Sequence, residues 1–310
     1  MAEQGGNFMK QISNGIYPVM ITPYTADNRL DLEAVDRMVE FYAQGGCHGL
    51  FAVCQSSEMF FLSEDERAAL AQRVVQASDG RMSVVASGHI SDEIEDQIRE
   101  LGRIAATGVD GVVMVSNRLA KADEDDDVFI ANMNRILDAL PEVTFGMYEC
   151  PHPYKRLLSD RVLEAMAASG RFAFIKDTCC DAELIAHRIE LLNGRIQLFN
   201  ANCATLLETL RSGAAGFSGI MANYHPDLFV WLYDNYQKQP EKAEKLMAAL
   251  SVLSGTERAC YPVCCKYHMG LVGVPMEIIS RNRDAAEFGE LGKREMRDLV
   301  TVEALLRNMI

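Results

Sequence analysis

The sequence predicts a closed (β/α)8 barrel, the TIM-barrel architecture, followed by a C-terminal helical extension. Eight short apolar runs recur between residues 15 and 220, and an amphipathic stretch of helical length separates each run from the next. The interiors of these runs are nearly continuous in Val, Ile, Phe, Met and Ala, which is typical of parallel strands buried on both faces. Strict alternation of strand and helix favours a parallel sheet, and eight such units favour its closure into a barrel.

The predicted strands follow from the apolar runs in chain order. They cover residues 15–24, 49–56, 82–89, 111–117, 144–150, 172–178, 197–202 and 214–220. A doubly wound open sheet is the competing architecture, but no Gly-x-Gly-x-x-Gly motif follows any of these strands. The closed barrel is therefore preferred.

The predicted helices lie between the strands, at residues 30–46, 63–78, 91–107, 127–140, 158–169, 181–193 and 203–212. The first of them collects apolar residues on one face at helical spacing, namely Leu32, Val35, Met38, Val39 and Tyr42. Ser63 and Glu66 form a capping-box pattern at the start of the second helix.

Three segments are expected along the chain. An N-terminal extension over residues 1–14 precedes a catalytic barrel over 15–224, and a bundle of three or more helices occupies 225–310. The last segment contains no ninth strand-like run, so it is interpreted as an addition to the barrel and not as a second catalytic domain.

The composition narrows the classes of function. The chain has 310 residues, with 30 Lys and Arg against 44 Asp and Glu, which gives a formal net charge of −14. A chain this acidic repels phosphate backbones and anionic lipids, so neither a nucleic-acid nor a membrane partner is expected. No apolar stretch typical of a signal peptide occurs in residues 1–11, and a cytoplasmic location is expected. The nine cysteines, an odd number, are expected to be reduced thiols.

The residues that end each strand are the candidates for chemistry, because the active sites of such barrels lie at the carboxyl ends of the strands. Lys176 follows the run Phe-Ala-Phe-Ile inside a predicted buried strand. Burial lowers the pKa of a lysine and leaves neutral amine that can attack a carbonyl carbon. Tyr148 ends the preceding strand, where a phenol can exchange protons with that centre. The alternatives are a lysine paired with Asp177 and an ordinary half-buried tyrosine.

Five motifs occur in an order that is found in a known family. They are ITPY at 21–24, a hydroxyl-rich loop that ends in Glu58, Tyr-x-x-Pro at 148–151, Ile-Lys-Asp-Thr at 175–178 and Gly-x-x-Gly-x-x-Gly at 213–219. With these motifs the chain resembles the dihydrodipicolinate synthase / N-acetylneuraminate lyase family of class I aldolases. The resemblance is weakest in the helical tail, where only YPVCCKYHMGLVGVP at 261–275 is similar to the family.

The resemblance implies roles for particular residues. Lys176 matches the lysine that forms a Schiff base with pyruvate or another 2-oxo acid, and Tyr148 matches the tyrosine that relays protons there. The family's Gly-[Ser/Thr]-Thr-Gly-Glu loop corresponds to residues 54–58, in which Ser56 takes the position that holds the substrate carboxylate. The other implied substrate-binding residues are Gln55, Ser57, Thr178, Ser218 and Gly219.

The resemblance also bears on cofactors and partners. It implies no cofactor, and it implies a homo-oligomer, either a dimer or a tetramer. The cysteines form no paired Cys-x-x-Cys knuckles, so no metal is expected. The expected partner is a small-molecule 2-oxo acid substrate.

The sequence departs from the synthase branch of the family at three places. Gln55 replaces a hydroxyl of the synthase proton relay. Arg118 and Leu119 stand where synthases carry paired tyrosines, one of which reaches into a neighbouring subunit. Pro153 stands where synthases carry the arginine that binds the carboxylate of the aldehyde. The Schiff-base centre is therefore kept, while the pocket for the second substrate is not.

The expected function is a Schiff-base lyase that acts on pyruvate or another 2-oxo acid, by aldol cleavage or condensation or by dehydration of a 2-keto-3-deoxy acid. An authentic 4-hydroxy-tetrahydrodipicolinate synthase and a non-catalytic protein that binds 2-oxo acids are the alternatives. Neutral hydrogen-bonding groups are expected at the pocket mouth, where they suit a polyhydroxylated or neutral aldehyde better than aspartate semialdehyde. These groups are Gln55, His152, Tyr154, Asn200 and Asn202.

Overall fold

A computed structural model describes residues 9–310 of the chain, so residues 1–8 of the predicted N-terminal extension lie outside the described residues. Eight parallel strands form one sheet in the order β1-β8-β7-β6-β5-β4-β3-β2. The strands are Gly15–Ile16 (β1), Gly49–Phe51 (β2), Ser83–Ala86 (β3), Gly111–Val115 (β4), Phe145–Tyr148 (β5), Phe172–Asp177 (β6), Gln197–Asn200 (β7) and Gly216–Phe217 (β8).

The helices between the strands form the outer layer of the barrel. They are Leu32–Gln44 (α1), Glu64–Ser78 (α2), Ile94–Ala105 (α3), Ser116–Leu119 (α4), Asp126–Ala139 (α5), Asp160–Ser169 (α6), Ala182–Leu192 (α7) and Leu206–Arg211 (α8). The short α4, directly after β4, is an addition that the sequence analysis did not predict. Four further helices follow the barrel: Pro226–Asn235 (α9), Pro240–Leu253 (α10), Val263–Leu271 (α11) and Glu290–Met309 (α12).

The sheet closes between its two edge strands, β1 and β2. Beyond the end of β1, Val19 and Phe51 form a parallel bridge. The Phe51 N–H donates to the Pro18 carbonyl at 3.0 Å, and the Met20 N–H donates to the Phe51 carbonyl at 3.0 Å. The predicted (β/α)8 TIM barrel is therefore confirmed, and the open doubly wound sheet is wrong.

Closure also depends on glycine at the seam between β1 and β8. A Cβ atom on Gly216 would lie 1.8 Å from the Gly15 carbonyl oxygen, so no side chain fits at this position. Next to the seam, the Tyr17 N–H donates to the Phe217 carbonyl at 2.8 Å. The absence of a side chain is thus what allows the two backbones to reach hydrogen-bonding distance.

The predicted elements agree with the structure in kind and differ mainly at their ends. Each predicted strand is longer than the observed one, because the residues after the paired segment bend into the loops that carry the site. The predicted apolar face of α1 is buried at Val35, Met38, Val39 and Tyr42. Its inclusion of Leu32 was wrong, because this residue lies exposed in the first turn. The predicted capping box of α2 is confirmed, because the Glu66 N–H donates to the Ser63 hydroxyl and the Ser63 N–H donates to the Glu66 carboxylate.

The helices after the barrel pack on its outside and return toward its open end. Glu303 of α12 is buried and accepts hydrogen bonds from His225, which precedes α9, and from His268 of α11. The segment between α11 and α12 then runs back to the loop after β2. Among residues 9–310, no helix combines the length and the apolar character that a membrane crossing requires.

Candidate functional site

A cavity of about 320 Å³ opens at the carboxyl ends of the strands. The strand ends and the loops that follow them supply most of its wall. These residues are Gln55, Ser56, Glu58, Tyr148, Pro151, Lys155, Lys176, Thr178, Cys180, Ala201, Asn202, Gly219 and Ile220. The position matches the general rule for this barrel, in which the loops at the carboxyl face carry the functional groups.

Lys176 lies at the floor of the cavity, near the end of β6. Its side chain is only 4% exposed, and its Nζ lies 4.3 Å from the centre of the Tyr148 ring and 5.3 Å from the centre of the Phe51 ring. Burial lowers the pKa of the Lys176 ammonium below the ordinary value of a lysine. The residue is therefore predisposed to present a neutral amine to a ligand in the cavity.

Tyr148 stands beside Lys176 on the neighbouring strand. The two residues are direct partners in the β5–β6 register, so their side chains point to the same side of the sheet. Burial raises the pKa of the Tyr148 phenol well above its ordinary value. The phenol thus keeps its proton at neutral pH and can donate it to an oxygen atom near Lys176.

The loop after β2 contributes Gln55 and Ser56 to the cavity wall, while Ser57 turns away from it. The Ser57 hydroxyl accepts a hydrogen bond from the Cys54 N–H and donates one to the Cys54 carbonyl, at 2.8 Å. Ser57 therefore braces the loop. The family motif has glycine at the positions of Cys54 and Ser57. Within this loop the left-handed backbone conformation, with φ of 61°, occurs at Glu58 and not at these two residues, so neither position requires glycine.

Glu58 joins this loop to the C-terminal part of the chain. Its buried carboxylate accepts hydrogen bonds from Lys266 Nζ at 3.0 Å and from the Ser280 hydroxyl at 2.8 Å. The backbone N–H groups of Arg281 and Asn282 donate to the same carboxylate at 2.6 and 3.0 Å. Four donors thus fix the position of a loop that lines the cavity.

The other predicted site residues divide into two groups. Thr178 and Gly219 line the cavity. Ser218 instead faces a small void inside the barrel, below Lys176, that is lined mainly by aromatic and aliphatic side chains. The structure therefore brings Lys176, Tyr148, Gln55, Ser56, Thr178 and Gly219 together around one cavity, and it places Ser57 and Ser218 behind its wall.

The mouth of the cavity differs from its sequence-based description. Of the neutral residues expected there, Gln55 and Asn202 line the cavity, but His152 does not. The Tyr154 hydroxyl donates to backbone carbonyls, and the Asn200 amide donates to two threonine hydroxyls. Lys155, which the sequence analysis did not single out, is exposed at the mouth and donates from its Nζ to the Thr178 carbonyl at 2.6 Å.

Residues after the barrel complete the cavity, a contribution that was not predicted from the sequence. They are Glu257, Tyr261, Pro262 and Asn282. Tyr261 is half-buried, with its phenol next to Ser56, and it accepts a hydrogen bond from the Asn223 amide at 3.2 Å. The sequence signal that could have indicated this contribution is the segment 261–275, which is similar to the family and starts at Tyr261.

The cysteines show no arrangement typical of a metal centre. All nine lie within the described residues and are free thiols. Within residues 9–310, no cluster of three or more His, Cys, Asp and Glu side chains is placed to hold a metal ion.

Comparison with known proteins identifies the family of the chain. Residues 12–295 match the model of the dihydrodipicolinate synthetase family. The chain belongs to this family. It is therefore a lyase of the class I aldolase type, as predicted, and family members form a Schiff base with pyruvate.

Individual relatives of the chain are distant in sequence but alike over most of their length. The 4-hydroxy-tetrahydrodipicolinate synthase of Pseudoalteromonas atlantica is 25% identical over 264 residues, which covers 83% of this chain and 88% of the relative. A DapA-like lyase of Pyrococcus abyssi is 26% identical over 77% of this chain and 81% of its own length. The fold is also that of YagE, a family member from E. coli K12 solved in complex with pyruvate, with a TM-score of 0.85, 20% identity and coverage of 94% and 99%.

The places where the chain departs from dihydrodipicolinate synthases have structural consequences. Leu119 stands where synthases carry the tyrosine that reaches into a neighbouring subunit, and it is fully buried within its own chain. Arg118 forms an ion pair with Asp92 at 2.7 Å and stacks over the Phe60 ring, and it does not line the cavity. Neither residue of this pair reproduces the synthase arrangement.

Proposed function

We propose that Lys176 is the residue that forms the Schiff base and that the substrate is pyruvate or another 2-oxo acid. The observation that carries this proposal is the placement of the Lys176 amine, which is buried at the floor of the cavity against the Tyr148 ring. Neither its burial nor its neighbours are those of a lysine held in a structural ion pair. Asp177, the alternative partner, bonds to Arg188 instead.

The reaction starts with attack of the neutral Lys176 amine on the C2 keto carbon of the acid. Tyr148 supplies a proton to the departing oxygen, and water leaves to give a protonated imine. The imine then draws electrons from a bond at C3. In condensation, a C3 proton passes to the Tyr148 phenolate, and the resulting enamine attacks an aldehyde through C3, which restores the imine. In cleavage, the C4 hydroxyl gives its proton to the phenolate, the C3–C4 bond breaks and the aldehyde leaves, and the resulting enamine takes a proton at C3 to restore the imine. Water finally attacks the imine and releases the acid and the free amine.

The carboxylate of the 2-oxo acid is proposed to bind at the loop after β2. Ser56 provides a hydroxyl there, and Glu58 and Ser57 hold the backbone around it in place. Placing the carboxylate at Ser56 leaves the keto carbon to Lys176, on the strand side of the same cavity. A cavity of about 320 Å³ is at the small end of the usual range for ligand sites, which suits acids of this size.

Borohydride trapping tests this assignment. Reduction of the wild-type protein with pyruvate is expected to give a stable adduct by intact mass, and Lys176→Ala is expected to abolish it while the fold persists by circular dichroism. Lys155→Ala is the matched control, since it removes another lysine that lines the same cavity, and it is expected to trap normally. Unchanged trapping on Lys176→Ala would remove the mechanism.

A second candidate function is authentic 4-hydroxy-tetrahydrodipicolinate synthase activity, which the positive charge of Lys155 at the cavity mouth favours. Against it, the family's arginine position holds Pro153. Lys155 is a single charge on a flexible chain that already donates to Thr178, so it does not offer the two-pronged geometry with which arginine binds a carboxylate.

A panel of aldehydes decides between the two functions. With pyruvate as the other substrate, aspartate semialdehyde is expected to give a lower kcat/KM than glyceraldehyde and larger neutral polyhydroxylated aldehydes. Lys155→Met should leave the neutral aldehydes unaffected. The highest kcat/KM for aspartate semialdehyde, lost in Lys155→Met, would establish the synthase function instead.

We further propose a cytoplasmic location and a symmetric homo-oligomer, a dimer or a tetramer. The nine free thiols support the location, because reduced cysteines are typical of the cytosol. Exposed apolar side chains on the surface, among them Phe61, Leu157 and Leu291, support association between copies.

A further inference from the structure

Behind the floor of the cavity lies a buried charge cluster of three residues, Glu149, Asp177 and Arg188. Arg188 Nη1 lies 2.9 Å from a Glu149 carboxylate oxygen and also bonds to the Asp177 carboxylate. All three side chains are at most 2% exposed. The sequence pattern predicted Asp177 only as an alternative partner of Lys176, and it gave no indication of the cluster.

Each carboxylate of this cluster directly follows one of the two proposed catalytic residues. Glu149 comes after Tyr148 at the end of β5, and Asp177 comes after Lys176 at the end of β6. Because successive side chains of a strand point to opposite faces, both carboxylates point outward when the phenol and the amine point into the barrel. A single guanidinium from α7 therefore holds both strand ends from behind.

The cluster also fixes the backbone around the cavity. The two Glu149 carboxylate oxygens accept from the Leu158 N–H at 2.8 Å and from the Thr178 N–H at 3.0 Å. Arg188 Nη2 donates to the Leu158 carbonyl at 2.7 Å. On β6, the Asp177 carboxylate accepts from the Cys179 N–H at 2.8 Å. The network thus connects the ends of β5 and β6 with the segment that leads into α6.

Stability alone does not account for this arrangement. The carboxylates of Glu149 and Asp177 share one guanidinium in the protein interior. Burial together with the Asp177 charge raises the pKa of the Glu149 carboxyl. Buried ion clusters of this kind contribute little net stability compared with apolar residues of equal size. What the cluster provides is a fixed geometry, because each bond has a specified direction and partner.

We propose that Arg188 is a positioning residue that, through Glu149 and Asp177, holds the Tyr148 phenol and the Lys176 amine in the arrangement that proton transfer requires. This inference rests on the proposed Schiff-base function. Proton transfer is sensitive to such placement, since a shift of about 1 Å can cost ~10²-fold in rate. Carboxylate binding at the loop after β2 does not involve the cluster.

The test measures exchange of the pyruvate methyl protons with deuterium from the solvent, followed by NMR. Exchange needs only imine and enamine formation, so it requires no second substrate. Arg188→Lys keeps the charge but cannot reach both carboxylates, and it is expected to lower kcat for exchange by about 10–10²-fold with little change in KM. Borohydride trapping at saturating pyruvate is expected to remain complete.

A double-mutant cycle separates positioning from general damage to the fold. The proposed role of Arg188 is to align the amine with the phenol for proton transfer. In a Tyr148→Phe background there is no phenol to align, so Arg188→Lys should lower exchange by less than about threefold. Arg67→Lys is the control, because Arg67 forms an equally buried pair with Glu100, at 3.0 Å, that does not line the cavity. It is expected to lose stability without losing kcat.

The outcomes are distinct. Equal losses of kcat in Arg188→Lys and Arg67→Lys, or equal losses with and without the phenol, would overturn the positioning role. If Arg188→Lys does not fold, Glu149→Gln replaces it, and wild-type exchange in that variant would overturn the role as well. Absence of trapping and exchange in the wild-type protein would instead disprove the Schiff-base function itself.

Discussion

Burial shifts the pKa values of Lys176 and Tyr148 in opposite directions. It favours the neutral form of both groups, so the amine loses a proton more readily while the phenol retains its own. The outcome is a nucleophile and a proton donor side by side at neutral pH, without a metal or cofactor in the proposed mechanism. A lysine exposed to water at the same place would be almost fully protonated and unreactive.

The pH dependence of exchange tests the lowered pKa of Lys176. Attack requires the neutral amine, so the rate of pyruvate exchange rises with pH as the ammonium deprotonates. Because burial lowers this pKa, the midpoint of the rise is expected below the ~10.4 of an ordinary lysine. Measured exchange rates against pH check this, with protein unfolding followed in parallel. A midpoint at or above the ordinary value contradicts the desolvated amine.

Single residues also show what the sequence can reveal and where it stops. The position of Lys176 at the cavity was predictable, because a charged residue inside an apolar run is rarely buried unless it is paired or functional. The orientations of Ser57, Tyr154 and Asn200 were not, since a polar side chain at a strand end can face either the cavity or a nearby backbone or hydroxyl group, and the sequence does not distinguish the two. In this chain the partners of these three residues are mostly backbone and threonine groups of their own surroundings.

At the scale of elements, the alternation of strands and helices was predictable because its signal is repeated along the chain. The contribution of the C-terminal segment was not. Tyr261 and Asn282 reach the cavity through contacts between residues more than two hundred positions apart, such as that of Glu58 with Ser280. No local pattern encodes such a contact, although the carboxylate of Glu58 and its four donors fix it firmly.

Glu58→Gln tests the contact between the C-terminal segment and the loop after β2. The substitution leaves the buried Lys266 ammonium without its charged partner and sets an amide against the backbone donors. The free energy of unfolding is expected to fall by about 3–5 kcal/mol, the usual effect of breaking a buried pair. Urea denaturation measures it. Glu40→Gln, in an exposed pair with Arg81, serves as control and is expected to leave the free energy of unfolding nearly unchanged.

At the scale of the whole molecule, the barrel and the family were predictable from sequence, while the boundary between barrel and helical bundle at 224/225 stays a prediction. The site draws on both sides of that boundary, since Gly219 and Tyr261 line one cavity. The helices after the barrel therefore contribute to the proposed chemistry as well as to packing. This dependence explains why the eight strand–helix units alone give an incomplete description of the site.

Assembly is the last property that can be tested. In synthases one tyrosine of each pair reaches into a neighbouring subunit, but Leu119 at this position is buried in its own chain. Each subunit is therefore expected to carry a self-sufficient site. The proposed dimer or tetramer should be observed by analytical ultracentrifugation at micromolar concentration. Exchange of pyruvate protons per subunit should then stay constant when dilution dissociates the oligomer. A strictly monomeric mass contradicts the assembly, and a rate that falls in step with dissociation shows that a neighbouring subunit completes the site.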